Sequence, residues 1–328
     1  MAVLKRLLGV LLLLLSAATV VFFLIHLIPG DPVAAMLGEG ASPSDVTALR
    51  GQLGLDRPLP VQYRLWLVGY MPWERVERKA SEGASFRDVR GVLRGDLGTS
   101  ILTKRTVTAE ILRAVPATFS LALAAMGAAL LVAVPAGLLG ALYRGRWPDD
   151  VLRALSLLGV STPNYVSGPI LVLVFSIGLG LLPVSGRASP GSLVLPAATM
   201  GLALAALLSR MIRASVAEEL SKPYVTAARA RGEGTLSTLF RHAGRNALPP
   251  VLVVAGLQFG SLLTGAVVTE TIFSWPGIGR LLVQSIQRRD YPTVQGCVLF
   301  IASVYVLVNA LVDAVATAID PRAGARPG

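Results

Sequence analysis

The sequence is poor in the residues that carry most catalytic and metal chemistry. It has one cysteine, Cys297, and two histidines, His26 and His242. No intramolecular disulfide can form, and neither a CxxC nor an HExxH arrangement exists to hold a metal. Cys297 lies in an apolar stretch and reads as a packing residue. The four lysines are Lys5, Lys79, Lys104 and Lys222; none follows a glycine or precedes Ser or Thr, so there is no phosphate-binding loop of the GK[ST] type. Charge is scarce as well. Charged residues are 15% of the chain against about a quarter in soluble domains, while 53% are hydrophobic. That excludes an ordinary soluble fold and points to a membrane protein. The net charge of +11 is spread over loops without interleaved aromatics, which argues against nucleic acid as a partner.

Six windows contain no Asp, Glu, Lys or Arg: 7–30, 114–143, 154–186, 188–209, 246–269 and 291–312. Each is long enough to cross a hydrocarbon layer of roughly 30 Å as a helix. The expected fold class is therefore an all-α integral membrane protein with six transmembrane helices. The first window follows Lys5 and Arg6, and its apolar character runs well past the small residues Ser16, Ala17 and Ala18. A secretory leader has a shorter apolar core, so this window reads as a retained span. His26, near its outer end, has no carboxylate, Cys or second His nearby in sequence and reads as a packed or interfacial residue. Glu270 and Asp313 bound the last two spans without reaching mid-membrane, so no buried carboxylate relay for proton coupling is visible.

Between the first two spans, residues 31–113 form a long polar region. LDRPLPVQYRLWLVGY reads as a double-proline turn leading into a short helix with Tyr63, Trp66 and Tyr70, aromatics suited to a membrane interface or a partner surface. The stretch RVERKASEGASFRDVRG has no pattern and reads as loop. Basic residues decide orientation: counting the termini and the short loops, fourteen lie on one side against four on the other, so the basic side and both termini are expected in the cytoplasm. Glycines and prolines inside the spans, such as Pro135, Gly137, Pro163, Gly168 and Pro169, suit close packing and kinks but are ordinary in membrane helices.

The cytoplasmic run from Lys222 to Pro249 is the only long polar stretch between two late spans. Pro223 suits a first helical turn and Gly232 a left-handed stop, which gives a helix of about nine residues, too short to stand alone in water. Ala227, Ala228 and Ala230 would let another surface approach closely, with Arg229 and Arg231 supplying charge. A second helix is expected with Thr235 as cap and Leu236, Leu239, Phe240 and Ala243 on one face. With no nucleotide motif of its own, a chain that moves a solute uphill must receive energy from another subunit, and this loop is the place to receive it.

The loop resembles the EAA loop of binding-protein-dependent ABC importer permeases, and the chain as a whole resembles the B-type permease of dipeptide, oligopeptide and nickel importers. Nine segments carry the likeness in order: LIPGDP (27–32), LGLDRPLPVQY (53–63), GDLGTS (95–100), PATFSLALA (116–124), LPVSG (182–186), YVTAARARG (224–232), RHAGRNALPPV (241–251), ETIFSWPGIGRLL (270–282) and RDYPTVQG (289–296). Only about 74–92 looks particular to this chain. Thr226 stands where the general motif has glutamate. The resemblance implies a type I permease fold, with residues 1–30 as first helix, 31–113 extracytoplasmic, 114–319 as permease core around a cytoplasmic coupling loop at 214–248, and 320–328 as cytoplasmic tail. It implies ATPase coupling through Tyr224, Thr226, Ala227, Ala228, Arg229, Arg231 and Gly232, and a surface facing a solute-binding protein at Trp275, Pro276 and Gly277. The expected partners are a second, homologous permease, two ABC ATPase subunits, an extracytoplasmic solute-binding protein and membrane lipid. No cofactor or metal is expected on this chain, ATP and Mg residing on the ATPases. The location implied is the bacterial inner membrane, and the function is import of peptides or a related small solute. The alternative from another class is an ion-coupled or passive carrier that works without an ATPase.

Overall fold

Proline and polar residues set the helix boundaries of this chain more sharply than hydropathy does. The computed structural model describes residues 2–27, 42–53, 56–69 and 90–319. The PGDP segment, Tyr70, residues 74–89 and the tail at 320–328 lie outside them, as does the side chain of His26. Helix α1 (Ala2–Leu27), α2 (Pro43–Leu53) and α3 (Leu59–Val68) are followed by α4 (Val107–Leu142), α5 (Trp147–Ser161) and α6 (Asn164–Gly178). Then come α7 (Val194–Leu220), α8 (Pro223–Ala230), α9 (Thr235–Gly265), α10 (Val267–Ile272), α11 (Ile278–Gln287) and α12 (Tyr291–Ile319). No strand occurs among the described residues.

The membrane-length helices are α4, α7, α9 and α12, with α5 and α6 forming one bent pair and the apolar α1 standing first. The charge-free window at 154–186 holds a break, with α5 and α6 bent by 104° between Ser161 and Asn164. Thr162 is extended because it precedes Pro163, a position where sterics disfavour helix. α5 also begins earlier than the window, at Trp147, with Asp149 and Asp150 in its first turn.

The chain divides into two compact units. In the first, α3 lies on α1: Phe22 meets Tyr63 edge-on at 5.2 Å, and Thr19 Oγ1 lies 2.7 Å from Tyr63 Oη. Tyr63 and Trp66 thus serve internal packing against α1. Asp290 at the start of α12 is buried; it accepts from Ser100 Oγ (2.5 Å), the Ile101 amide (3.0 Å) and Thr293 Oγ1 (2.8 Å), which pins the GDLGTS turn. Cys297 is fully buried, in keeping with a packing role.

The core of the second unit is built from small residues. Ala117, Ala125, Ala129 and Ala133 of α4 are buried in a cluster with Met200, Leu204, Leu208 and Ile212 of α7. A Cβ at Gly137 would meet Ile212 at 2.7 Å and one at Gly201 would meet the Ala125 carbonyl at 3.0 Å, so glycine sets the helix spacing, as in packing between membrane helices. Gly256 and Gly260 of α9 do the same against Val312 and Val308. At the base of α5, buried Asp149 takes a two-pronged contact from Arg213, Nε to Oδ1 at 2.5 Å and Nη2 to Oδ2 at 2.6 Å, plus the Gly145 amide at 3.0 Å. Such a paired geometry is what lets a carboxylate stay charged while buried.

Candidate functional site

The loop between α7 and α9 has the local chemistry that its sequence requires. Lys222 is the extended residue before α8, Pro223 opens it, and eight residues later it stops. Gly232 has φ +87°, its amide donates to the Arg229 carbonyl (2.9 Å), and the Glu233 amide reaches back to the Ala228 carbonyl (3.3 Å). These paired bonds satisfy the last carbonyls of the helix, and they require a left-handed residue after its end. Nothing lies within 4 Å of where a Gly232 Cβ would be, so backbone conformation alone selects glycine there.

The two faces of α8 differ. Val225 and Ala228 are fully buried, and α8 packs on α7 and on the start of α9. Thr226, Ala227 and Ala230, at i, i+1 and i+4, are exposed, as are Tyr224, Arg229, Arg231 and Gly232. Of the residues expected to couple, Ala228 faces this chain's own interior and the others form the open surface. The expected second helix is modified. Thr235 caps nothing; Gly234 precedes the helix, and residues Thr238–Gly244 form a π-helical turn. That wider turn buries Thr238, Leu239 and Ala243 but leaves Leu236 and Phe240 more than 60% exposed, so the four apolar residues do not share one face.

Polar contacts fasten both ends of α8. Glu219 Oε1 lies 2.5 Å from Lys222 Nζ, and Glu219 Oε2 accepts from Tyr224 Oη at 2.5 Å. Asn246 Nδ2 of α9 donates to Tyr224 Oη at 3.0 Å. Burial and the adjoining Glu219 carboxylate hold the Tyr224 hydroxyl above its ordinary range, which keeps it a donor, while the Glu219 hydrogen bond holds Lys222 charged. Beyond the stop, Glu233 pairs with His242 Nε2 at 2.8 Å. Neither Glu219 nor Asn246 stood out in the sequence; the available signal was a carboxylate three residues before Lys222 and five before Tyr224.

The second region singled out by sequence, the turn after α10, is a locked corner. Trp275 is 2% exposed and its Nε1 donates to the Ala117 carbonyl at 2.8 Å. Arg187 lies over its ring at 5.5 Å. Glu270 is fully buried and accepts from Thr118 Oγ1 (2.6 Å) and the Arg280 amide (3.0 Å), while Thr118 Oγ1 also accepts from the Ile278 amide (2.9 Å). A Cβ at Gly277 would fall onto the Glu270 carboxylate. Of the expected outward-facing trio, then, Trp275 and Gly277 are buried and Pro276 alone is exposed. The tryptophan is internal because its N–H has a partner there and its ring fills the core, the usual use of a buried indole. Among the described residues no cluster of His, Cys, Asp and Glu is arranged to hold a metal.

Comparison with known proteins adds the following. A family model described as the inner membrane component of binding-protein-dependent transport systems matches residues 133–324, and one for the N-terminal part of such membrane components matches 1–122. The chain is 39% identical over 319 residues to the glutathione transport system permease protein GsiC of Salmonella choleraesuis, covering 97% of each chain. It is 40% identical to the protein of that name from Pectobacterium atrosepticum (97% and 96% covered) and 37% identical to the one from Escherichia coli (97% of each). Among solved structures, inward-facing MetNI methionine ABC transporter structures align with TM-scores of 0.53 and 0.54 at 17% identity. They cover 64% of this chain and 95% or 96% of theirs, a likeness of fold.

Proposed function

This chain belongs to the inner membrane components of binding-protein-dependent transport systems, and we propose that its α8 is the point at which an ATP-driven importer passes energy into this permease. It is a non-catalytic permease subunit of an ABC importer, a multi-pass inner membrane protein. The observation that carries the coupling role is the two-faced α8. Its Val225 and Ala228 side is built into this chain, and its small-residue side at Thr226, Ala227 and Ala230 is left open for a partner. A helix of eight residues gains its stability from what it packs against. Two ATPase subunits carrying ATP and Mg are the partners proposed for that face. A second permease completes the path, a solute-binding protein docks outside, and both termini are cytoplasmic. At the outer end the exposed Pro276 belongs to the docking surface, held in place by the buried Trp275 and Gly277.

The solute proposed is a short peptide of the glutathione type, supported by relatives near 39% identity over almost the whole chain whose name refers to glutathione transport. The test is uptake in proteoliposomes that hold this chain, its partner permease, both ATPases and the binding protein, with labelled glutathione, a neutral dipeptide and a nickel chelate offered in turn. ATP-dependent uptake of glutathione is expected. Uptake by this chain alone at the same rate would refute the importer role, and ATP-driven uptake of another solute would refute the substrate assignment only.

A further inference from the structure

Where α7 and α9 leave the coupling loop, Val216 and Ala217 of one share a buried cluster with Leu239, Ala247 and Val251 of the other, and the surface beside that cluster is open. A cleft of about 340 Å³ lies there, lined on one side by Ser215, Glu218 and Glu219 of α7 and on the other by Asn246, Ala247, Pro249 and Pro250 of α9. One chain of hydrogen bonds runs along its rim, from Glu219 Oε2 to Tyr224 Oη (2.5 Å) and from Tyr224 Oη to Asn246 Nδ2 (3.0 Å), with Lys222 Nζ on the other carboxylate oxygen (2.5 Å). The middle member, Tyr224, lies in the second residue of α8. Its hydroxyl uses its donor on one membrane helix and an acceptor lone pair on the other, which is its normal capacity.

We infer that Glu219 is a positioning residue for energy coupling: through Tyr224 it ties the coupling helix to α7 and α9 at once, so that a displacement of α8 moves both helices together. This rests on the coupling role proposed above. The physical ground is the place of the polar chain: the buried Val225 and Ala228 seat α8 on α7 and on the start of α9, and on the open side, along the cleft, the polar chain joins all three helices through one hydroxyl. The link from Glu219 is charge-assisted, roughly twice as strong as a neutral bond, whereas the Asn246 link is neutral. The two act in series, so losing either one disconnects the same route.

The experiment uses the complete assembly in proteoliposomes and reads solute moved per ATP hydrolysed, with the yield of intact complex measured alongside. Glu219→Ala is expected to lower that ratio about tenfold, the scale of one lost hydrogen bond to a charged group. Asn246→Leu breaks the same route at its other link and is expected to lower the ratio to a comparable extent. The double variant is expected to be no worse than Glu219→Ala, because two breaks in one chain are not additive. Glu219→Gln, which keeps an acceptor for Tyr224, should recover most of the loss. An unchanged ratio in Glu219→Ala overturns the inference, and so does a fall in transport matched by an equal fall in complex yield, the mark of a merely structural role. Additive losses in the double variant also overturn it. If the wild-type assembly moves solute without its ATPases, the coupling role itself fails; ATP-driven wild-type uptake with an unaffected Glu219→Ala variant sinks this inference alone.

Discussion

Replacing Gly232 isolates one physical effect, because its surroundings are open. Its φ of +87° lies where only glycine is at ease, and no atom comes within 4 Å of an added Cβ. Steric collision therefore contributes nothing, and the cost is that of holding an L-residue left-handed. For alanine that is about 1–2 kcal/mol. Valine, branched at Cβ, belongs at the upper end of the range for strained backbone, about 3 kcal/mol. Asparagine, enriched in this region among non-glycine residues, costs less than alanine. At 1.4 kcal/mol per tenfold, alanine shifts the balance between stopped and frayed α8 by roughly 5- to 30-fold and valine by roughly 150-fold. A frayed end releases the two bonds at Arg229 and Ala228 and lets the open face of an eight-residue helix lose its shape. In proteoliposomes, solute moved per ATP should therefore fall in the order Gly, Asn, Ala, Val, with membrane insertion and complex yield unchanged. A valine variant that couples normally would show that the left-handed stop is dispensable. Equal, severe losses in all three variants would show that something packs on Gly232 in the assembly, and the strain argument would then be wrong.

Other consequences follow from the same geometry. Ala227→Arg places a bulky charge on the open face of α8 and should reduce copurification of the ATPases with normal amounts of the permease, whereas Ala228→Arg, at a fully buried site, should lower the amount of folded permease itself; similar outcomes for both would erase the distinction between the two faces. Gly277→Ala drives a methyl group into the Glu270 carboxylate and should cost about 1–3 kcal/mol as overpacking, seen as a lower melting temperature, while exposed Pro276→Ala should leave melting unchanged and alter only the affinity for the binding protein. The hydrogen bond from His242 holds the Glu233 carboxyl below its ordinary value of 4.5, so this contact stabilises the loop above that value and loses its effect as pH falls through the lower, folded value. Amide protection factors over 230–244, corrected for intrinsic exchange, should therefore drop on acidification below pH 4.5 in the wild type and stay flat in Glu233→Gln; identical profiles would remove the pair from the account.

Much of the architecture was legible because lipid imposes a simple rule. A backbone in hydrocarbon must satisfy itself, so long charge-free runs become helices, and the windows at 114–143, 188–209, 246–269 and 291–312 all lie largely within α4, α7, α9 and α12. The third window begins later than α5 does because charge counting treats each charge as solvated. Asp149 opens α5 while fully buried, since Arg213, 64 residues away, meets it with two hydrogen bonds. Pairing across that distance has no signature in local composition, and the bend at Thr162 was signalled only by the proline that follows it.

The loop between α7 and α9 shows the same division within a few residues. Pro223 and Gly232 bounded α8 correctly because their backbone chemistry is local: one lacks a donor and the other tolerates positive φ. The helix after it failed because periodicity presumes 3.6 residues per turn. Over Thr238–Gly244 the turn is wider, which keeps Leu239 and Ala243 together while turning Leu236 and Phe240 outward. Which face of α8 is inward was likewise not written in the loop, because Val225 and Ala228 are chosen by the surface beneath them. The same holds at the far end of α9. An aromatic beside a proline and a glycine reads as a contact patch, yet Trp275 is fixed from below by the Ala117 carbonyl, and Gly277 is glycine because the Glu270 carboxylate occupies the space of its side chain. α9 thus runs from a loop with one open face to a corner fixed by buried hydrogen bonds. Asn246, which holds Tyr224, lies on the 31-residue helix whose far end leads into that locked corner. At about 1.5 Å per residue, the stretch from Asn246 to Gly265 spans roughly 30 Å. At that corner the buried Glu270, an expensive group to keep in a core, is held by Thr118 and by the Arg280 amide, which makes that end of α9 stiff.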